Sequence, residues 1–296
     1  MVIIPESAHG VSSPPAVYRS RNIDFCTPFG YVCGVQAFDA SATPGGTVIP
    51  KLSVVIPAYN EAGRLPPTLD RVIRFLQQAP SWLPAEVIIV DDGSSDQTAD
   101  VARARPPVDE VQLEVIVHPI NRGKGAAVRS GFLRSRGSRV LLTDADLSAP
   151  IEDLAVLGAV GSGEVAVGSR AVDRRLIGQR QPLHRDLMGR VFNTTIRTLG
   201  LTRLHDTQCG FKLFPGELAR KLAAAQRLDG FAFDVELLVL AAAWGYPIRE
   251  VGVRWQHVEA SRVLAVRHSS QMLRDVFRVW WWRMTRSLPA PNDLVA

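Results

Sequence analysis

From Lys51 onward the chain alternates short, mainly apolar runs with stretches whose apolar residues recur at helical spacing. Leu52–Ile56 (LSVVI), Glu86–Val90 (EVIIV), Leu113–Val117 (LEVIV), Arg139–Thr143 (RVLLT) and Glu164–Val167 read as five buried strands. Between them, Leu65 to Gln78 and Gly123–Arg136 read as helices. Runs this short, without strict polar alternation, suit strands covered on both faces. The pattern therefore predicts an α/β fold, a mostly parallel central sheet flanked by helices. Residues 1–50 carry no sustained period and read as an irregular N-terminal extension, with Ala40–Gly46 (ASATPGG) as a linker. One large domain is expected over 51–286, and 287–296 is expected to be a C-terminal tail.

Polar residues follow directly on three of these strands, where open α/β sheets bind their ligands. Pro57, Tyr59 and Glu61 follow the first and suit a loop that frames a base and ribose. Asp91 and Asp92 follow the second, where a carboxylate can accept N–H groups of a uracil or guanine; Asp96 reads as a cap for the next helix. Asp144-Ala145-Asp146 follows the fourth. Two carboxylates separated by a small residue can share one hard divalent cation such as Mg²⁺ or Mn²⁺, whose remaining ligands are commonly water and phosphate oxygens. No Gly-x-Gly-x-x-Gly follows the first strand and no Walker-type Gly-Lys-Ser/Thr occurs, which counts against dinucleotide oxidoreductases and P-loop enzymes. Gly123-Lys124-Gly125 resembles a phosphate loop only over three residues and reads as the opening of a helix.

Composition narrows the partners. The 296 residues are 46% hydrophobic and 21% charged, with a net charge of +5, which excludes disordered, coiled-coil and collagen-like chains. The charge is unevenly spread: residues 161–296 hold 20 basic against 12 acidic side chains, and the first 160 hold 14 against 17. Nearly all the basic residues are arginine, the planar partner of phosphate, so an anionic partner is expected in the second half. Cys26, Cys33 and Cys209 do not make a disulfide framework, and a reducing, cytoplasmic setting is expected. No apolar run has the length of a transmembrane helix, and the first residues lack the pattern of a secretory signal.

Taken together, Ser53–Glu61 (SVVIPAYNE), Ile89–Asp96 (IVDDGSSD), Asn121–Arg129 (NRGKGAAVR), Thr143–Leu147 (TDADL) and Val167–Arg170 (VGSR) resemble the family 2 glycosyltransferases of GT-A fold. Asp206–Phe214 (DTQCGFKLF) and Phe233–Leu238 (FDVELL) narrow the resemblance to the dolichyl-phosphate β-glucosyltransferase, or polyprenyl-phosphate sugar synthase, branch. The resemblance runs from Lys51 to Arg286. It implies that Pro57, Tyr59, Glu61, Asp92, Asp144, Ala145 and Asp146 hold a nucleotide sugar, with Asp144 and Asp146 on the metal. It further implies Arg170 and Arg185 at the phosphates, with Ser261 and Arg262 as further acceptor-phosphate candidates. Gln208, Asp234 and Glu236 are candidates for donor-sugar contact, or for a base where the acceptor is a hydroxyl.

The expected reaction is inverting transfer of glucose from UDP-glucose to a polyprenyl phosphate. Mannose transfer from GDP-mannose, transfer to a soluble or polysaccharide hydroxyl, and an inactive GT-A scaffold at a membrane surface are the rivals. Val266–Arg286 interleaves arginines with Trp280, Trp281, Trp282 and other apolar residues. That composition suits a helix lying on a membrane surface. Peripheral attachment to the cytoplasmic face is expected, by this helix or through a separate membrane protein. Nucleic acid is not expected as a partner, because no recognition motif accompanies the bunched tryptophans.

Overall fold

The computed structural model describes residues 49–179, 183–256 and 265–291. The first half of the chain lays down β1 (Leu52–Ala58), α1 (Leu65–Gln78), β2 (Ala85–Asp91), α2 (Thr98–Arg103), β3 (Val111–Val117), α3 (Lys124–Arg134), β4 (Arg139–Leu142), α4 (Leu154–Gly158) and β5 (Val165–Ser169). The second half adds β6 (Ile177–Gln179), α5 (Leu183–Thr198), β7 (Lys212–Pro215), α6 (Gly216–Ala225), α7 (Phe233–Ala243), β8 (Ile248–Gly252), β9 (Trp255–Gln256) and α8 (Ala265–Met284). Seven strands form one sheet in the order β3-β2-β1-β4-β7-β5-β8, and β6 pairs with β9 apart from it.

All five expected strands are present and α1 has the expected ends, but β3 is not the buried strand its apolar run suggested: it lies at the sheet edge, where only Val111 is buried and Val117 is exposed. Strands β1 and β2 run past Ile56 and Val90 because their last residues still pair with each other, Ala58 opposite Asp91. Strand β4 stops at Leu142, although the Thr143 amide still donates to the Val55 carbonyl at 3.1 Å. Helix α3 is shorter than Gly123–Arg136. Gly123 has a φ of +108°, outside the helical region, and Ser135 turns extended with its hydroxyl on the Phe132 carbonyl.

Every residue of β2, β4 and β5 is buried, as both faces of the sheet are covered. One apolar layer packs β1 and β2 against α1, with Leu65, Leu69, Val72 and Leu76 all inside. The opposite layer joins α3, α6 and α7, where Phe132 meets Phe214 edge-to-face at 5.3 Å between ring centres. A third cluster ties α5, α7 and α8 together through Phe192, Ile196, Val235, Val239, Val276 and Val279. Glu86 is the charged exception inside β2. Its carboxylate accepts from the Ser53 hydroxyl at 2.6 Å, from the Arg136 amide at 2.6 Å and from the Arg136 guanidinium, so it is buried but fully engaged.

Strand β7 runs antiparallel to both β4 and β5, while β1, β2, β4 and β5 all run the same way. This reversal brings the amino end of β7 to the edge where its neighbours have their carboxyl ends. Lys212 lies opposite Leu142 on one side and Val167 on the other.

Candidate active site

The loops that leave β1 and β2 are knitted to each other. The Asn60 amide donates to Ser94 Oγ at 2.8 Å, the Ser95 amide donates to Asn60 Oδ1 at 2.9 Å, and the Glu61 amide donates to Thr98 Oγ1 at 2.8 Å. Asn60 holds this geometry with a positive φ of 56°, which asparagine tolerates better than most residues. Pro57 is the last residue but one of β1. Tyr59, just beyond it, is exposed, and the Glu61 carboxylate lies on Arg64 at 2.5 and 2.6 Å. Asp96 accepts from the Thr98 amide at 3.0 Å, next to the start of α2.

Asp92 is buried and accepts three hydrogen bonds. His118 Nδ1 and the Arg122 amide reach Oδ1 at 2.7 and 3.0 Å, and the Gly123 amide reaches Oδ2 at 2.7 Å. His118 is held in turn by Ser130 Oγ at 2.9 Å from Nε2. In this arrangement Asp92 anchors the turn that opens α3. That turn is clamped from the other side too. A Cβ on Gly123 would come within 2.4 Å of the Asp229 carbonyl oxygen, and the Ala126 amide donates to that same oxygen at 3.2 Å.

Clamping the turn aims Lys124, the first residue of α3, at the end of β4. Its ammonium is 2.6 Å from Asp144 Oδ1. The other Asp144 oxygen is backed by Gly210, where a Cβ would lie 2.1 Å from Oδ2. Asp146 is partly exposed and its Oδ1 accepts from the Ser148 amide at 2.9 Å. Ala145, between them, is buried and its carbonyl takes the Thr68 hydroxyl at 2.6 Å.

The remaining charges come from β5, the loop before β7, and α7. Arg170, one residue past β5, forms a two-pronged pair with Asp206 at 2.7 and 2.8 Å. The fully buried Lys212 donates to Asp234 at 2.5 Å and to the Cys209 carbonyl at 2.6 Å. Glu236 is engaged by the Arg227 and Leu228 amides at 2.8 Å, one on each oxygen. Gln208, between Asp206 and Gly210, has a buried Nε2 with no hydrogen-bond partner among the described residues.

These charges act on one another. Burial would raise the Asp144 carboxyl, but Lys124, Lys212 and Arg170 outweigh it and hold the group below its ordinary value of 3.8. Asp206 is likewise held low, burial being outweighed by Arg170. Asp234 moves the other way. Burial lifts it above 3.8 against the pull of Lys212 and Lys124. Burial and the nearby Asp206 push the Cys209 thiol up to about 11, which leaves it protonated and a poor nucleophile.

Among the described residues no group of three or more His, Cys, Asp or Glu side chains is arranged around a metal position. The donor set at the end of β4 still fits a hard divalent cation. Asp144 and Asp146 offer only carboxylate oxygens, and a cationic ammonium already lies against one of them. Mg²⁺ and Mn²⁺ characteristically take one or two carboxylates and complete the shell with water and phosphate.

The structure thus gathers Asp144, Ala145, Asp146, Arg170, Gln208 and Asp234 around one end of the sheet, with Pro57 near the end of β1 and Tyr59, Glu61 and Asp92 on the adjoining loops. Glu236 faces the loop at Arg227 and Leu228. The backbone of Arg185 belongs to α5, but its side chain lies outside the described residues, as do Ser261 and Arg262 entirely. Lys124, Lys212, Asp206 and Gly210 were not among the residues singled out from the sequence. Lys124 stands in a three-residue glycine motif too short to be told from an ordinary helix start. The other three lie in the Asp206–Phe214 segment, whose partners are far away in the chain: Arg170 is 36 residues from Asp206, and Asp234 is 22 from Lys212.

Residues 53–222 match the family described as Glycosyl transferase family 2. The chain is 37% identical over 239 residues to the dolichyl-phosphate beta-glucosyltransferase of Homo sapiens, covering 76% of this chain and 74% of the relative. It is 37% identical over 242 residues to that of Dictyostelium discoideum, covering 77% and 73%. Against that of Saccharomyces cerevisiae it is 35% identical over 246 residues, covering 76% and 72%. Among solved structures, glucosyl-3-phosphoglycerate synthase from Mycobacterium tuberculosis in complex with Mn²⁺ and UDP-glucose superposes with a TM-score of 0.55, at 19% identity over 78% of this chain and 79% of the other. Mannosyl-3-phosphoglycerate synthase from Rubrobacter xylanophilus gives 0.58, at 21% identity over 81% and 76%. At these identities the two structures share the fold.

Proposed function

The chain belongs to glycosyltransferase family 2, and from that premise we propose that it transfers glucose from UDP-glucose to a dolichyl-type polyprenyl phosphate with inversion at the anomeric carbon. The reading is carried by the 35–37% identity, over about three quarters of both chains, to relatives named dolichyl-phosphate beta-glucosyltransferase. The nucleotide-sugar site comprises Pro57 near the end of β1, Tyr59, Glu61 and Asp92 on the β1 and β2 loops, and Asp144, Ala145 and Asp146 at the end of β4. Asp144 and Asp146 would hold Mg²⁺ or Mn²⁺. A divalent cation there supplies charge neutralisation for the departing diphosphate.

The state of the α7 acids favours a phosphate acceptor over a hydroxyl. A hydroxyl nucleophile needs a base, yet Glu236 is occupied by two backbone amides and Asp234 by Lys212. A phosphate monoester is already ionised near neutral pH. Its oxygen forms the new bond to the anomeric carbon as the bond from that carbon to the diphosphate oxygen breaks, and no proton passes to the protein. The chain's own contribution is then positioning and fixed charge. Asp206 orients Arg170 on two prongs, and Lys212 holds a second positive charge beneath the site. Arg185, Ser261 and Arg262 are the further candidates for the acceptor phosphate, and Gln208 for the sugar.

A lipid acceptor would bring the protein to a membrane surface, and α8 has a face suited to it. Leu273, Phe277, Trp281 and Met284 are 38%, 50%, 60% and 63% exposed and fall at intervals of four, four and three residues, which lines up one side of a helix. Arg278 is also largely exposed on this helix. Met188 and Val191 of α5, which packs against α8, are exposed as well. No helix among the described residues is long and apolar enough to cross a membrane. Peripheral contact with a membrane surface agrees with these features. Co-sedimentation with vesicles containing anionic lipid should be strong for the native chain and about tenfold or more weaker for Phe277→Glu/Trp281→Glu, given ~1.5–3 kcal/mol per buried large apolar side chain. Equal co-sedimentation would overturn this face as the contact, and absent native binding would point to recruitment by a separate membrane protein.

The activity is tested by incubating the protein with Mn²⁺ or Mg²⁺, labelled UDP-glucose and a polyprenyl phosphate, then extracting into organic solvent. Label should enter the organic phase. Label only from GDP-mannose would reassign the donor, and no lipid product from either donor would favour another acceptor or an inactive scaffold. Gly210→Ala is expected to lower kcat/KM about 10²-fold, the scale associated with an ångström of misplacement. The added Cβ meets the end of the Asp144 side chain, so the carboxylate moves while the melting temperature changes little. An unaltered kcat/KM would count against Asp144 as a working group.

A further inference from the structure

Lys124 lies against one of the two carboxylates read as metal ligands. Its ammonium is 2.6 Å from Asp144 Oδ1, and both side chains are partly exposed. The approach is prepared by the fold rather than by a loose side chain. Gly123 is held by Asp92 at 2.7 Å, and a Cβ on Gly125 would lie 2.6 Å from the Leu228 carbonyl oxygen, so the origin of the Lys124 side chain is pinned on two sides. The Asp144 carboxylate also lies close against Gly210, where a Cβ would come within 2.1 Å of its Oδ2. Asp146 and Asp234 also attract Lys124, while Lys212 and Arg170 attract Asp144. Within this cluster four carboxylates, Asp144, Asp146, Asp206 and Asp234, face three cations, Lys124, Lys212 and Arg170. One uncompensated negative charge is a poor match for a divalent ion, and two would be a good one.

We propose that Lys124 is a resident countercation on Asp144, which a divalent metal has to displace, so that metal binding is weak until an anionic nucleotide diphosphate arrives with it. The coupling is thermodynamic and therefore reciprocal: whatever factor UDP contributes to metal affinity, the metal contributes to UDP affinity. Lys124 generates that factor by occupying Asp144 in the free protein. In the ternary state its positive charge faces the added phosphates instead of competing for the carboxylate. This inference rests on Asp144 and Asp146 being the metal ligands, and the experiment separates the two.

Free Mn²⁺ is titrated by its electron paramagnetic resonance signal against the full-length protein, with and without UDP, for the native chain, Lys124→Met, Lys124→Arg and Asp146→Asn. The native chain should bind Mn²⁺ at least about tenfold more tightly with UDP than without it, a difference of ~1.4 kcal/mol. Lys124→Met should bind Mn²⁺ about tenfold more tightly than the native chain in the absence of UDP, and should lose most of the UDP enhancement. Lys124→Arg keeps the charge and should keep the weak UDP-free binding. Unchanged or weaker UDP-free binding in Lys124→Met, in protein whose circular dichroism and melting are native, would overturn the role of Lys124. Native Mn²⁺ binding by Asp146→Asn in the presence of UDP would instead overturn the metal-site reading on which it rests.

Discussion

Asp146→Ala is expected to reduce glucosyl transfer by about three orders of magnitude, ~4 kcal/mol of transition-state stabilisation, while the protein remains folded. The leaving diphosphate gains charge as its bond to the anomeric carbon breaks. A divalent cation held there by Asp144 and Asp146 would stabilise that charge. Asp146 is the better of the two carboxylates to test. Asp144 is bound to Lys124 and lies against Gly210, so its removal disturbs neighbours. Asp146 is partly exposed and, on its Oδ1, receives the Ser148 amide two residues on, a local turn bond. Removing such a bond costs ~0.5–1.5 kcal/mol. Initial rates under saturating Mn²⁺, together with a melting curve, separate the two effects. Metal-dependent transfer within tenfold of native would exclude Asp146 from the metal site.

Lys212→Met is expected to destabilise the fold by about 3–5 kcal/mol at neutral pH, because it strands Asp234 in the interior. Both partners are almost fully buried, and the ammonium also satisfies the Cys209 carbonyl. The loss should depend on pH in a definite direction. Burial already lifts the Asp234 carboxyl above 3.8, and without Lys212 it rises further. An acid whose folded value is raised contributes its full stability below the unfolded value and loses it as pH climbs through the folded one. The deficit of the variant relative to the native chain should therefore be smaller at pH 5 than at pH 8. Urea denaturation at the two pH values reads this directly. A deficit below about 1 kcal/mol, or one that is the same at both, would show that Asp234 does not depend on Lys212 for its charge.

Much of the first half was legible because its signals are local. A buried parallel strand shows as a short, mainly apolar run, and the polar residues that end it sit next to it in the chain. That is how Asp144 and Asp146 could be placed at the head of β4, and Tyr59 and Glu61 beyond β1, without a coordinate. The second half was less legible. Strand β7, Lys212–Pro215, opens on a lysine, and its antiparallel pairing with β4 joins residues some seventy positions apart, which no local period records. Asp92 illustrates a subtler limit. Its position beside the nucleotide loop follows from the sequence, but its bonds to His118, Arg122 and Gly123 depend on the turn after β3 folding back to it.

The uneven charge has the same two layers. By itself the sequence determined the α/β arrangement, the paired carboxylates at a strand end and the arginine-rich second half, and its motifs carried the resemblance to glycosyltransferase family 2, since strand periodicity, motif order and composition are properties of neighbours along the chain. Only the tertiary structure decided which charges are committed to each other. Arg170 belongs to Asp206, Lys212 to Asp234, and Lys124 to Asp144. The physical reason is that a buried charge is tolerable only beside an opposite one, and the reversal of β7 carries Lys212 to the same edge as the carboxyl ends of β4 and β5.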